Sequence, residues 1–231
     1  CVAEFLLRLR DAGLDTLPGT AAEILDDEVR SLICPDKLNT EEWLSVMRDA
    51  HEVGLRTTAT MMYGHLEKPK HLARHFLRLR ELQKQTSRTG RSGVFTEFVP
   101  LPFVHMEAPI FLKGKTRKGP TFREAVLVHA VARLVLHPYF HNIQTSWVKM
   151  GPEGVKICLK AGVNDLGGTL MDESITRAAG AVHGQEMSPE RMVKLIKRIN
   201  RTPQQRTTLY TTPVEKKFIK SYGILGVQQD R

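Results

Sequence analysis

The sequence is short of cysteine, of aromatic residues and of long apolar runs, and each shortage removes a class of protein. Its three cysteines, Cys1, Cys34 and Cys158, are an odd number at wide separations. They build no disulfide framework, and none stands at metal-ligand spacing. No stretch of 18 apolar residues exists to cross a membrane as a helix, and no basic segment followed by an apolar one reads as a secretory signal. Aromatic residues make up only 6% of the chain, although its formal charge is +9. The basic stretches (68–91, 113–118, 191–206, and the tail with Lys216, Lys217 and Lys220) carry no interleaved aromatics on which bases could stack, so they read as solvated surface. The expectation is an intracellular chain in a reducing compartment, the cytoplasm ahead of an organelle, with no nucleic acid and no membrane as partner.

With 41% hydrophobic and 26% charged residues, the 231-residue chain can bury a sizeable core. It starts at Cys1 and opens in helical spacing at Val2, Phe5, Leu6 and Leu9, which reads as a piece of a longer polypeptide. One grammar then recurs: a β-branched or apolar run, a polar or glycine-containing turn, a helix. Strands are predicted to start near residues 14, 57, 94, 142 and 163. The first runs into Pro18-Gly19, the second into Gly64, and the fifth into Gly167-Gly168. The third should stop at Pro100-Leu101-Pro102, because proline cannot donate to a central ladder. The fourth is read over 142–148.

Between the strands, helices are predicted from Thr20 (with Ile24, Leu25 and Val29 on one face), from Thr40 as N-cap, from Pro69, over 122–136, from Pro152 to Gly162, and from Ser188-Pro189-Glu190. Such alternation suits parallel strands with helical crossovers, an α/β class. A complete eight-unit barrel takes about 250 residues, and five units already fill this chain. The predicted architecture is therefore the C-terminal part of a TIM-type (β/α)8 barrel over 1–212, with a basic tail at 213–231.

Individual phrases carry more. Thr60-Met61-Met62-Tyr63-Gly64-His65-Leu66-Glu67 resembles the G-x-I-x-G-x-x-E element of radical SAM barrels, with Gly64 and Glu67 matching, Met62 in the Ile place and Thr60 departing from the first Gly. Around it stand Gly19-Thr20-Ala21-Ala22-Glu23-Ile24-Leu25, Ala50-His51-Glu52-Val53-Gly54, the run from Phe95 to Phe103, Asn142-Ile143-Gln144-Thr145-Ser146-Trp147-Val148-Lys149, and Asn164-Asp165-Leu166-Gly167-Gly168-Thr169-Leu170-Met171. In this order and spacing they resemble the CofH half of FO synthase, a radical SAM enzyme of deazaflavin biosynthesis, over about residues 3 to 210. The menaquinone-pathway futalosine enzymes share some phrases. The stretch 95–103 and Gln144-Thr145-Ser146-Trp147 favour the CofH type.

The resemblance implies a [4Fe-4S] cluster and S-adenosyl-L-methionine as cofactors. It implies L-tyrosine and 5-amino-6-(D-ribitylamino)uracil as substrates, and the CofG half of FO synthase as a fused or separate partner. It also exposes a departure. The family holds its cluster with Cys-x-x-x-Cys-x-x-Cys, because three thiolates leave one iron open, and this chain has no such spacing. The chain alone is expected to be inactive and to contribute no metal ligand. A non-catalytic half-barrel that completes another chain is the competing reading.

Candidate site residues follow from the same match. Asp15, Glu23, Arg30, Met62 and Gly64 are candidates for S-adenosylmethionine, with Met62 beside adenine and Arg30 pairing either Glu23 or the cofactor carboxylate. Helix-end charge compensation competes for Asp15 and Glu23, and core packing for Met62. Tyr63, His65 and His105 follow strand ends and are candidates for substrate, against purely structural roles. Glu97 is a carboxylate in an apolar strand, costly unless hydrogen-bonded. Asn142, Gln144 and Ser146 share one strand face and suit a uracil or ribityl group. Asn164 stands just before Gly167 and Gly168, which allow close approach or a tight turn. The remaining histidines show no facing ligand pair.

Overall fold

The computed structural model describes residues 1–90, 93–170, 172–180 and 186–215. Most of the expected tail, 216–231, lies outside the described residues. The elements run α1 (Val2–Asp11), β1 (Thr16–Leu17), α2 (Asp27–Ile33), α3 (Thr40–Glu52), β2 (Arg56–Tyr63), α4 (Pro69–Ser87), β3 (Phe95–Pro102), α5 (Pro109–Leu112), α6 (Phe122–Leu136), β4 (Asn142–Ile143), α7 (Trp147–Lys160), α8 (Ile175–Ala178) and α9 (Pro189–Lys197). The four strands form one parallel sheet in sequential order, β1-β2-β3-β4. All strands therefore end on the same edge.

One face of the sheet is covered by helices. In β2 burial alternates strictly, so Thr57, Ala59, Met61 and Tyr63 point into the helix layer while Arg56, Thr58, Thr60 and Met62 point to the other face. A bulge opposite Thr57/Thr58 shifts β3 by one residue. As a result Phe95 lies in the helix layer, but Glu97, Val99 and Leu101 share the open face with Thr58, Thr60 and Met62. Phe95 stacks between Trp43 of α3, at 6.3 Å, and Phe140, at 5.4 Å, and Phe98 meets Phe76 of α4 edge-on at 5.5 Å. Each aromatic buried in this way contributes about 1.5–3 kcal/mol from apolar area removed from water.

Several sequence expectations are corrected. The third strand does not stop at Pro100. Phe103 N–H donates to the Tyr63 carbonyl and Gln144 N–H to the Phe98 carbonyl, so odd residues of β3 bond β2 and even ones face β4. Pro100 and Pro102 are even and lie beyond the last β3–β4 partner, Ile143, so their missing N–H groups leave no rung broken.

The fourth strand is only Asn142–Ile143, because Trp147 already starts α7. The fifth is reduced to one parallel bridge, Gln144 to Asp165. The helix expected from Thr20 begins at Asp27. Ala21 and Glu23 are left-handed, the Glu23 carbonyl accepts from Met62 N–H at 2.9 Å, and Asp26 supplies the N-cap. The cap of α3 is Asn39, in a reciprocal box with Glu42, and Thr40 instead donates its hydroxyl to Asp27 at 2.7 Å. Within α7, Gly151 (φ 64°) breaks the helical path, and Pro152 restarts it.

Candidate functional site

The shared strand direction makes the C-terminal edge the natural place for ligands, since turns there are free to vary while the ladder holds them. Its best-built element is the turn after β2. Gly64 has φ 97°, and a Cβ on it would stand 2.2 Å from Pro120 Cδ, so only glycine fits. Glu67, buried at the turn, accepts from Gly64 N–H at 2.6 Å and His65 N–H at 2.9 Å, and Arg117 reaches its carboxylate at 3.2 Å. His65 Nδ1 accepts from Leu66 N–H at 2.7 Å, so Nε2 carries the hydrogen donated to the Met62 carbonyl at 2.9 Å. Both nitrogens are used internally, and burial lowers its pKa, which keeps the ring neutral.

The structure separates the candidates. Glu23, Met62, Gln144, Ser146, Gly167 and Gly168 lie on the open face or at the C-terminal edge. Glu23 carries an ion pair to Lys37 at 2.9 Å. Ser146 occupies the N-cap position of α7 rather than a strand. Gly167 (φ 71°) is pressed on Gln144, whose Nε2 would stand 2.6 Å from a Cβ there, whereas space beside Gly168 is open. His105 flanks the same edge, edge-on to Phe111 at 4.7 Å.

Other candidates are engaged elsewhere. Asp15 is exposed and precedes β1, which puts it at the opposite, N-terminal edge. Arg30 is 3% exposed and clamps the carbonyls of Ala21, Ala22 and Leu38, with no bond to Glu23. It holds the left-handed loop rather than reaching for a ligand. Tyr63 points into the helix layer, 1% exposed, the wrong side of the strand for the open face. Asn142 and Asn164 bond each other at 3.2 Å at the N-terminal ends of their segments, and Asn164 Oδ1 also accepts from Ile143 N–H and Arg133.

Glu97 does project to the open face, but a strap from the chain's end covers it. Tyr210 O–H donates to Glu97 at 2.5 Å, and Arg206 forks onto Asp165 while its guanidinium lies 4.0 Å over the Tyr210 ring. Arg56 fastens the strap through the Leu209 carbonyl at 2.7 Å. Burial raises the Glu97 pKa, the Tyr210 hydrogen bond opposes that, and the Asp165 charge adds to it. The strap fills the N-terminal half of the open face and leaves the C-terminal half, around Met62, Leu101 and Gln144, for a ligand.

Two side chains escaped sequence reading. Lys149, from the apolar run Trp147-Val148-Lys149-Met150, lines a cavity of about 280 Å³ with Phe103, His105, Phe122 and Met150. Glu173, beyond Gly168, has a buried Oε2 with no hydrogen-bond partner. A cation inside an apolar run was the available signal for the first, and nothing marked the second.

One group of potential metal ligands exists among the described residues, Asp26, Glu28 and His71. Its carboxylates are already neutralised, because Arg74 meets both at 3.0 Å and Lys70 meets Glu28 at 2.6 Å, which together with His71 draw the Glu28 pKa down to about 2. The thiols do not cluster. Cys1 is exposed, and Cys34 and Cys158 are buried at the end of α2 and within α7.

Residues 92–217 match the family described as the CofH/MqnC C-terminal region. Over 209 residues, 90% of this chain, it is 52% identical to the 5-amino-6-(D-ribitylamino)uracil--L-tyrosine 4-hydroxyphenyl transferase of Methanopyrus kandleri and 48% identical to that of Methanocaldococcus jannaschii. Over the same length it is 51% identical to the FO synthase of Mycobacterium leprae. The chain spans 55% and 56% of the two transferases and 24% of the FO synthase. With the matching region covering more than half of it, the chain belongs to the CofH/MqnC family.

Proposed function

We propose that this chain is the C-terminal part of a radical SAM transferase of deazaflavin (FO) biosynthesis, one that joins the 4-hydroxybenzyl group of L-tyrosine to 5-amino-6-(D-ribitylamino)uracil. The carrying observation is identity of about half, spread over 90% of the chain, with proteins bearing those names. Four parallel strands in sequential order, helices on one face and an open second face are what a (β/α)8 barrel over 1–212 would leave when cut. On this reading a CofG half is fused or supplied separately, and the protein works in the cytoplasm.

An iron–sulfur cluster needs three thiolates at one point, and the scattered Cys1, Cys34 and Cys158 do not fit it. The cluster would be held by sequence outside these residues, and no step is routed through it here. S-adenosylmethionine has a candidate wall at Met62, the Gly64 turn and the Glu23 loop. What the chain itself contributes is positioning. The Glu67-capped turn fixes the edge, and the strap seals the N-terminal half of the open face, so that a reactive intermediate would meet packed side chains instead of water.

The test is anaerobic reconstitution of the full-length protein with iron, sulfide and a reductant, then incubation with S-adenosylmethionine, L-tyrosine and the diaminouracil. The expected result is a mass corresponding to the 4-hydroxybenzyl adduct, made only when both substrates are present. No adduct, together with turnover of a dehypoxanthine futalosine substrate, would replace this reading with the menaquinone branch of the family.

A further inference from the structure

Arg191, Lys194 and Arg198 form a row of cations that no acid answers among the described residues. Ser188 caps α9, accepting from Arg191 N–H at 3.4 Å, and the helix then carries the three side chains at spacings of three and four, on one face. All three are exposed, and among the described residues none makes an ion pair or a side-chain hydrogen bond. The row works against the helix that bears it. Like charges three and four residues apart repel, and Arg191, in the first turn, stands at the end where the macrodipole favours an acid.

The row overhangs a cleft. With Trp147, Pro152, Met187 and Leu195 the three cations line a cavity of about 380 Å³ between α7 and α9, and Trp147, Met187 and Leu195, all buried, give it an apolar floor. Glu186 is the one acid in the lining, so three positive charges against one negative leave a net of two. On an open surface such charges are satisfied by water, but over low-dielectric walls they focus their field on the space between them. That space draws an anion. Its volume is near the small end of ligand cavities, which suits one compact molecule rather than a segment of protein.

Charge and shape fix the class of ligand. Arginine's planar fork takes two phosphate oxygens at once, and a phosphate monoester carries a charge of about −1.5 to −2 near neutrality, the match for this lining. The apolar floor suits a small organic body on the ester oxygen. We propose that the cleft between α7 and α9 binds a small phosphate monoester, with Arg191, Lys194 and Arg198 on the phosphate and the organic body against Met187 and Leu195. The ligand is a third molecule for this protein, since neither L-tyrosine nor the diaminouracil carries a phosphate, and none of Met62, Leu101 and Gln144 on the open face lines the cleft. The assignment therefore stands independently of the transferase reading. Trp147 joins the cleft to the candidate edge: its Nε1–H donates to the Gly168 carbonyl at 3.2 Å, so an occupant bears on the Gly167-Gly168 turn, the position of an effector.

The test is calorimetric binding to the full-length protein with three probes: phenyl phosphate, inorganic phosphate, which lacks the apolar body, and phenyl sulfate, which carries one charge fewer. Phenyl phosphate is expected to bind about tenfold or more tightly than either. Arg191→Gln combined with Arg198→Gln should weaken it by about tenfold or more, whereas Lys197→Gln, which removes the same charge from α9 outside the cleft, should change it by less than about twofold. All three positions are exposed, so the variants keep the fold. No binding of phenyl phosphate at millimolar concentration, equal affinity for the three probes, or an equal loss in Lys197→Gln would overturn the assignment. Each of those outcomes leaves the transferase reading untouched.

Discussion

Acidification should unfold this domain through its buried histidines, and two of them allow the effect to be calculated. His51 Nδ1 faces Thr86 Oγ1 at 3.1 Å and Nε2 faces Thr57 Oγ1 at 2.7 Å. The Thr86 hydroxyl donates to the Leu82 carbonyl, so it can only accept from His51 Nδ1. Burial keeps the ring neutral and lowers its pKa to about 4, and in that neutral form Nε2 accepts from Thr57. His75, wholly buried, accepts from Leu25 N–H at 2.9 Å, and its pKa falls to about 3, chiefly through burial.

The sign follows from linkage. Each folded-state pKa lies below the unfolded value of about 6.5, so the unfolded chain takes up the proton first. The stability these groups lend is present above pH 6.5 and is lost as pH falls towards 4 and 3. Between pH 7.5 and pH 5 each group should cost about 2 kcal/mol, or about 4 kcal/mol together, with uptake of about two protons on unfolding at pH 5. Against a typical total of about 5–15 kcal/mol, that is a large fraction. Urea unfolding at the two pH values measures it, and His51→Gln with His75→Gln, whose amides do not titrate, should remove most of the difference. A urea midpoint independent of pH, or an undiminished pH effect in the double variant, would refute the argument.

Three further outcomes are expected. Tyr210→Phe removes the hydrogen bond to Glu97, worth about 1.5–3 kcal/mol for a charged acceptor. Amide exchange over 203–212 should therefore speed up about 10- to 100-fold, measured by mass spectrometry, and a change below threefold would deny the strap its lock. Arg30→Lys keeps the charge but loses the planar fork that reaches three carbonyls. A loss of about 2–4 kcal/mol in denaturant titration is expected, and stability equal to the parent would count against the clamp. Gly64→Ala places a methyl 2.2 Å from Pro120 at a left-handed φ. It should loosen 113–120 towards protease, whereas an unchanged cleavage pattern would show that the turn tolerates a side chain.

Much of the scaffold could be read locally. The helix over 122–136 was visible from its spacing, and α9 from Ser188-Pro189. Strand starts were equally visible, because β-branched runs and glycine turns are short-range signals. Strand ends were not. Whether Pro100 and Pro102 interrupt a ladder depends on whether β4 is still alongside, and that is a property of the neighbour. The candidate site was legible only as a list of strand-end residues. Alternation shows that Met62 and Tyr63 face opposite ways, but only the packed helix layer shows that Tyr63 is the buried one.

The sequence by itself determined the α/β alternation, the glycine at the β2 turn and the family, since each is written in contiguous residues. Tertiary structure alone decided that Arg30 clamps a loop, that Glu97 is sealed by a tyrosine 113 positions away, and that Lys149 lines a cavity beyond the end of β3. The physical reason is common to all three. A charge declares its role by what surrounds it, and those surroundings come from parts of the chain that meet only when the sheet and its helices have closed.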